Sequence, residues 1–143
     1  MYKSYKFRLY PNEKQTVLIH KTFGCYRFIY NYFLNICKDN GFRSAFDMIK
    51  ELSNLTKEYE WLREVDSCSL RCAIFNLEDA YKNFFSKRSG YPSFKNKYNK
   101  QTYRTNCMKS KYKGKKYSSI ELDLKNKNKN IKTIFKTKEF KKT

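Results

Sequence analysis

The sequence predicts an α+β fold in which a bundle of about three helices is set between β-strands, and three observations lead there. Residues 5–9 alternate strictly, with Tyr5, Phe7 and Leu9 on one face and Lys6 and Arg8 on the other, which is the period-two pattern of a half-buried strand with a basic face. After Pro11, three stretches repeat apolar residues at spacings of three and four, the mark of amphipathic helices that can share one core. Beyond them Ile120, Leu122 and Leu124 alternate with Ser119, Glu121 and Asp123, a second half-buried strand that could pair with the first.

Each helix carries its own boundary signals. Pro11 ends the first strand, and Asn12 followed by Gln15 is a capping-box start. Leu18, Cys25, Ile29, Phe33 and Ile36 then form one stripe up to about Lys38, and Asn40-Gly41 is the stop. A second start lies at Ser44, with Asp47 in its first turn and Met48, Leu52, Leu55 and Tyr59 on the buried face, ending near Trp61-Leu62. Asp66 or Ser67 caps the third helix, whose face is Leu70, Ala73, Leu77, Ala80 or Tyr81, and Phe84. Gly90-Tyr91-Pro92 closes the helical region, and the composition turns to Lys, Tyr, Asn, Ser and Thr. Lys127 to Thr143 is rich in Lys and Asn, lacks periodicity, and is expected to be disordered.

With 143 residues, one compact domain is expected and a multidomain enzyme is not. Lys and Arg number 32 against 13 Asp and Glu, a net charge of +19, and the split is uneven. Residues 1–81 hold 12 basic and 10 acidic side chains, whereas residues 82–143 hold 20 and 3, so contact with a polyanion belongs to the C-terminal part. Nucleic acid is the commonest partner of such a field, and an anionic membrane surface is the alternative. The chain has no run of about 18 apolar residues and begins with alternating charge and aromatics rather than a leader, so neither export nor a membrane span is expected. Cys25, Cys37, Cys68, Cys72 and Cys107 are an odd, irregularly spaced set, which fits reduced thiols and a cytoplasmic location.

Catalytic groups fail on count, so no enzyme activity, catalytic residue, metal site or cofactor is expected. His20 is the sole histidine, and a lone helical His is ordinarily surface or core. Cys68 and Cys72 lie one helical turn apart, but a structural zinc needs four ligands and no further pair is near. Glu58, Glu60, Glu64 and Asp66 cluster around a loop where capping and solvation account for them, and two-metal hydrolysis needs several converging carboxylates. Gly24, Gly41, Gly90 and Gly114 stand singly, so no phosphate loop is present.

Binding remains. Tyr91-Pro92-Ser93-Phe94-Lys95-Asn96-Lys97-Tyr98, followed by Lys100, Tyr103, Arg104, Thr105 and Asn106, interleaves aromatics with cations and small polar donors. Cations neutralise phosphates, aromatic faces stack on bases, and Asn or Arg can read base edges. The plainer alternative is a solubilising basic loop with its aromatics tucked onto the core.

These residues, taken in order, resemble the N-terminal part of the TnpB (OrfB) family of transposon-encoded proteins. The resemblance begins at Tyr5-Lys6-Phe7-Arg8-Leu9-Tyr10-Pro11 and continues through Gln15, Gly24, Arg27-Phe28-Ile29-Tyr30-Asn31, Leu52, Leu55, Lys57 and Trp61-Leu62. It extends to Val65-Asp66-Ser67, Leu70, Asn76-Leu77, Ala80-Tyr81-Lys82-Asn83-Phe84-Phe85, Gly90-Tyr91-Pro92-Ser93-Phe94-Lys95 and Tyr103-Arg104-Thr105-Asn106, covering roughly residues 2–126. The family's members are compact RNA-guided DNA nucleases. The resemblance implies a β-barrel-like wedge domain, begun by the first strand and finished after an inserted recognition bundle usually labelled helix-turn-helix. Together these parts grip the guide RNA and read a short DNA motif.

On this basis residues 1–10 are expected to be the first wedge strand, 11–90 the helical recognition bundle, 91–126 a basic return segment with the remaining wedge strands, and 127–143 the disordered tail. Lys3, Lys6, Arg8, Lys95, Lys97 and Arg104 are expected on phosphates, with Tyr103, Thr105 and Asn106 nearest the bases. Two departures fall on the motif-reading surface. Arg71 follows Leu70 where the family commonly shows Leu-Gln, and Ala45-Phe46 stands where an aromatic pair is common; Arg71 therefore carries a general nucleic-acid role. The family's RuvC-like acidic residues and four-cysteine zinc ribbon have no counterpart in these 143 residues. The expected protein is thus a nucleic-acid-binding fragment that contacts guide RNA or DNA without cutting it, with no membrane partner and an open oligomeric state. A decayed remnant and a stand-alone repressor or decoy are the alternatives. The Lys/Asn tail is expected to be a frameshift product, which downstream nuclease-coding DNA in another frame would establish.

Overall fold

A computed structural model describes residues 10–104 with their side chains and, outside them, the backbone of residues 7–9, 108–113, 116–122 and 134–139. In chain order the elements are β1 (Phe7–Tyr10), α1 (Glu13–Asn40), α2 (Ala45–Glu58), a 3-10 turn (Glu60–Glu64), α3 (Ser67–Phe85), β2 (Met108–Lys113), β3 (Lys116–Leu122) and β4 (Ile134–Glu139).

The three helices start where their capping residues stand. At α1 the Gln15 amide donates to Asn12 Oδ1 and the Asn12 amide donates to Gln15 Oε1, each at 2.9 Å, so two otherwise orphaned N–H groups are satisfied reciprocally. The helix runs 28 residues and stops at Gly41, whose φ of 84° lies in the left-handed region that favours glycine. Ser44 caps α2 by accepting the Asp47 amide, and the Glu78 carboxylate of α3 accepts the Ala45 amide at 3.1 Å. That bond, ahead of the Lys82 ammonium, holds the Glu78 carboxyl below the usual carboxylate range. Asp66 caps α3 through the Cys68 amide at 2.9 Å. Helix α2 ends at Glu58, earlier than its apolar pattern suggests, because the chain leaves helical geometry at Tyr59 and tightens into the 3-10 turn.

Helices α1 and α2 both pack on α3. Ile29, Phe33, Leu34, Met48, Ala73, Ile74 and Leu77 are fully buried at the centre, with Leu55, Leu62, Val65, Leu70 and Tyr81 around them. The buried face of α1 is wider than the sequence stripe: Thr22, Tyr26, Tyr30, Leu34 and Cys37 are buried beside Leu18, Cys25, Ile29 and Phe33, while Ile36 is half-buried. Thr22 and Ser69 satisfy their buried hydroxyls on main-chain carbonyls, at Leu18 O and Asp66 O. Cys25 and Cys37 are buried thiols.

The expected α+β class, with helices set into an incomplete barrel-like wedge, is corrected by this arrangement. The packed body is helical: the buried apolar residues of the described chain lie on the three helices, the 3-10 turn and its junction with α3. Among the described residues no barrel closes around it. The extended segments run instead as one open antiparallel sheet in the order β1-β4-β3-β2. The strand expected near Ile120 does not pair with β1, since β3 lies between β2 and β4. The expected disorder of the tail is likewise corrected at Ile134–Glu139, which pairs with β1 on one side and β3 on the other. Pairing supplies hydrogen-bond partners along both edges, a contribution that composition does not register.

Truncating Leu77 to alanine is expected to cost about 2–5 kcal/mol, read as a fall in urea stability, whereas His20→Ala, on the exposed side of α1, is expected to stay within about 0.5 kcal/mol. Stability is also expected to fall in alkali. Burial, reinforced by Glu64 and opposed by Lys21, pushes the Cys25 thiol up from 9.0 to about 11, and burial raises Tyr26 and Tyr30 as well. The unfolded chain therefore releases these protons first, so the Cys25 contribution is complete below pH 9 and is lost as pH rises through about 11, and the two phenols add to the loss in the same direction. Urea melts at pH 8 and pH 11 measure this, and equal midpoints would show that Cys25 is not shielded.

Candidate nucleic-acid interface

After α3 the chain turns back, and residues 91–104 run in irregular conformation against α1. Irregular backbone in contact with a helix needs partners for its N–H and C=O groups, and α1 supplies them through side chains. Asn31 grips Lys95 at both main-chain atoms: the Lys95 amide donates to Asn31 Oδ1 at 2.7 Å, and Asn31 Nδ2 donates to the Lys95 carbonyl at 2.8 Å. One turn earlier, an Arg27 guanidinium N–H donates to Gln101 Oε1 at 2.7 Å. Gln101 Nε2 in turn lies 2.7–3.1 Å from the carbonyls of Asn96, Lys97 and Asn99, and Asn96 Oδ1 accepts the Tyr98 and Asn99 amides. The loop is thus folded on itself and tied to the helix at two points.

Rings complete the seam. Tyr103 is half-buried with its ring edge-on to Phe23 at 5.5 Å, and its phenol is raised by burial and then by Asp66. The Lys95 ammonium lies 4.5 Å from the centre of the Tyr30 ring, and Lys38 lies 4.5 Å from that of Phe94. Tyr81 and Tyr91 share a hydroxyl–hydroxyl bond of 2.8 Å, so the end of the segment nearer α3 is also fastened. Asn76 Nδ2 donates to the Tyr26 hydroxyl, and Arg104 stands close enough to Tyr26 to favour its ionised form, although burial dominates and raises it.

Between the helix and the loop lies a cleft of about 40 Å³ lined by Phe23, Tyr26, Arg27, Lys95, Lys100 and Gln101, among others. Residues 91–104 contain Lys95, Lys97, Lys100 and Arg104 and no carboxylate. The described ion pairs are Lys21–Glu64, Arg43–Glu51 and Lys82–Glu78, and they use none of those cations. The surface is therefore cationic, with counter-charge left to solvent or to a ligand.

Of the residues singled out in the sequence, Lys95, Lys97, Tyr103 and Arg104 share this segment, and Tyr103 is engaged with Phe23. Arg71 is exposed on α3, one turn before the half-exposed Phe75. The backbone of Arg8 pairs with Lys138 across β1 and β4, and Lys3, Lys6, Thr105 and Asn106 lie outside the described residues. Arg27, Asn31, Lys38 and Gln101 are not among the site residues expected from the sequence. Arg27 and Asn31 did carry a signal, since two polar residues four apart inside an aromatic-rich helix share a face.

Residues 1–40 match the family model of a helix-turn-helix domain from OrfB of the IS605 type. A protein of Streptomyces pristinaespiralis named as an RNA-guided DNA endonuclease is 32% identical over 66% of this chain and 25% of its own length. InsQ of Escherichia coli K12, also named as such an endonuclease, is 30% identical over 71% of this chain and 27% of its own. The virulence protein VsdF of Salmonella dublin is 31% identical over 70% of this chain and 98% of its own length. The chain belongs to the OrfB (TnpB) family. It spans about a quarter of the two OrfB-family endonucleases and nearly all of VsdF. Within the OrfB helix-turn-helix match, residues 1–40, the described structure holds β1 and the single continuous helix α1; the turn to α2 lies just beyond. Among the described residues no helix is long and apolar enough to cross a membrane.

Replacing Asn31 by alanine is expected to release the loop while leaving the bundle folded, because each of its two bonds contributes about 0.5–1.5 kcal/mol. Faster amide hydrogen exchange at Lys95 and Asn96, with unchanged exchange in α3, is the expected result. Unaltered exchange at Lys95 would show that the clamp does not hold the segment.

Proposed function

We propose that this OrfB-family chain is a nucleic-acid-binding fragment that contacts guide RNA and DNA without cutting either. The observation that supports it best is the acid-free cationic segment Lys95–Arg104, held in a defined shape on α1 by Asn31 and Arg27. A merely solubilising loop does not need such fastening, whereas a phosphate-contacting surface gains by being ordered before its ligand arrives. The names of the Streptomyces and Escherichia relatives, RNA-guided DNA endonucleases, agree with a nucleic-acid partner. Their match to this chain covers about a quarter of their length, and the present sequence lacks the family's spaced acidic residues, so cleavage is assigned elsewhere in those proteins.

In this reading Lys95, Lys97 and Arg104 contact phosphates together with Lys3, Lys6 and Arg8 from the N-terminal segment, and Arg71 on α3 has a general nucleic-acid role. Tyr103, seated on Phe23, is with Thr105 and Asn106 nearest the bases. The bundle of residues 11–90 acts as the frame, and residues 91–126 carry the contact surface. Phe46 and Phe85 are 75% and 57% exposed, and apolar surface of this kind also suits a decayed remnant whose covering parts are gone.

A salt titration separates the readings. If about six phosphates are neutralised, log affinity for duplex DNA should fall against log salt with a slope of about −5, and replacing Lys95, Lys97 and Arg104 together by glutamine should flatten it by about 2.7. Binding of transposon-end RNA should exceed that of unrelated RNA at physiological salt. A salt-independent constant would overturn the phosphate assignment, and equal weak binding to every nucleic acid would favour the remnant. Incubation with Mg²⁺ and a labelled duplex is expected to return the duplex intact.

A further inference from the structure

The cleft between α1 and the pinned loop has a composition that polyanion binding in general does not require. Three basic residues, Arg27, Lys95 and Lys100, are among those that line about 40 Å³ of space, with Asn96, Asn99, Gln101, Thr102, Phe23 and Tyr26 as the rest. That volume exceeds the roughly 10–15 Å³ that one water needs. Arg27 is aimed, not loose: Gln101 takes one of its N–H groups at 2.7 Å, and Gln101 is fixed by the loop carbonyls it donates to. A guanidinium held this way presents its other donors in a rigid fork, the geometry that suits a phosphate oxygen pair.

A second observation adjoins the first. Gly24 sits inside α1, where glycine costs about 0.8–1 kcal/mol relative to alanine, and a Cβ added there would meet no atom within 4 Å. Its backbone is not in the left-handed region, because the positive-φ glycine described is Gly41. Packing and conformation within the described chain thus give no reason for glycine at this position. Gly24 lies one turn before Arg27 on the face that carries Arg27 and Asn31, so it leaves the helix surface bare beside the cleft.

We propose that this cleft is a seat for one phosphate group of a nucleic-acid strand, gripped by Arg27 with Lys95 and Lys100, positioned by Gln101, and approached closely over the bare helix surface at Gly24. The proposal rests on the nucleic-acid reading above for the source of the phosphate, but not for the seat itself. It predicts an asymmetry that a structural role for these residues does not. Gly24→Ala raises the denaturation midpoint yet weakens strand binding, and Arg27→Lys keeps the charge yet loses the fork.

The test uses the full chain with two probes. Inorganic phosphate is titrated at constant ionic strength against chloride while the Gln101 side-chain amide and the Arg27 Nε–H are followed by NMR; a single-stranded 20-mer is titrated separately. The expected results are saturable shifts with phosphate but not chloride, loss of saturation in Arg27→Lys and weakening in Gln101→Ala. Strand affinity is expected to fall about tenfold in Arg27→Lys and about fivefold in Gly24→Ala, with each variant's melt confirming that it folds. Shifts that follow ionic strength alone, or an Arg27→Lys protein that binds the 20-mer as the wild type does, would overturn the seat. Unchanged strand binding by Gly24→Ala would overturn the close approach. Saturable phosphate binding without any strand binding would remove the nucleic-acid source, and with it the functional reading, while leaving a small-anion site.

Discussion

Helix α1 has more surface to cover than one neighbouring helix can cover, and the rest of the described structure follows from that constraint. Its buried positions run from Gln15 to Cys37 and include both members of the adjacent pairs Cys25-Tyr26, Ile29-Tyr30 and Phe33-Leu34. Adjacent residues on a helix point about 100° apart, so burying both demands cover on two sides. Helix α3 supplies the main contact, and the irregular 91–104 segment lies along the Phe23, Arg27 and Asn31 side. A helix could have covered that side with its backbone already satisfied. An irregular segment could not, and Asn31 and Gln101 are the chain's answer to its exposed amides and carbonyls.

That answer makes the packing solution and the candidate site one object. The bonds that fasten the loop also fix where Lys95, Lys97, Lys100 and Arg104 stand, so a surface carrying four like charges within ten residues is ordered by groups on α1 rather than by ion pairs. Repulsion among the cations is left for solvent or a polyanion to relieve. Aromatic rings buffer the arrangement, with Tyr30 under Lys95 and Phe94 under Lys38. Each ring offers its negative face to the cation above it.

The ring cluster at the opposite end of the bundle shows the same economy. Tyr81 is buried and its hydroxyl meets that of Tyr91, while Phe42, Phe84 and Phe85 pack around the pair. Here the turn after α1, the end of α3 and the start of the return segment meet, so one cluster closes three connections. Burial and then the Tyr91 hydroxyl push the Tyr81 phenol well up from its ordinary value, as expected of a ring enclosed at a packed junction.

Local determinants were legible without coordinates. Asn12 with Gln15, Ser44 with Asp47, and Asp66 mark helix starts through hydrogen bonds that span two or three residues, and Gly41 marks an end through its positive φ; such determinants act wherever the chain is helical. Family membership was legible for a similar reason, since ordered runs such as Arg27-Phe28-Ile29-Tyr30-Asn31 survive in a linear string. Fold class was not legible: a period-two pattern at Tyr5–Leu9 or Ile120–Leu124 states that one face differs from the other, but not which strand lies alongside. Pairing is chosen by segments more than 100 residues apart, and Ile134–Glu139 took the place beside β1. The use of Arg27 and Asn31 was hidden in the same way. In sequence they are two polar residues on a helix; only when residues 91–104 return to α1 do a carbonyl, an amide and the Gln101 side chain come within reach of them.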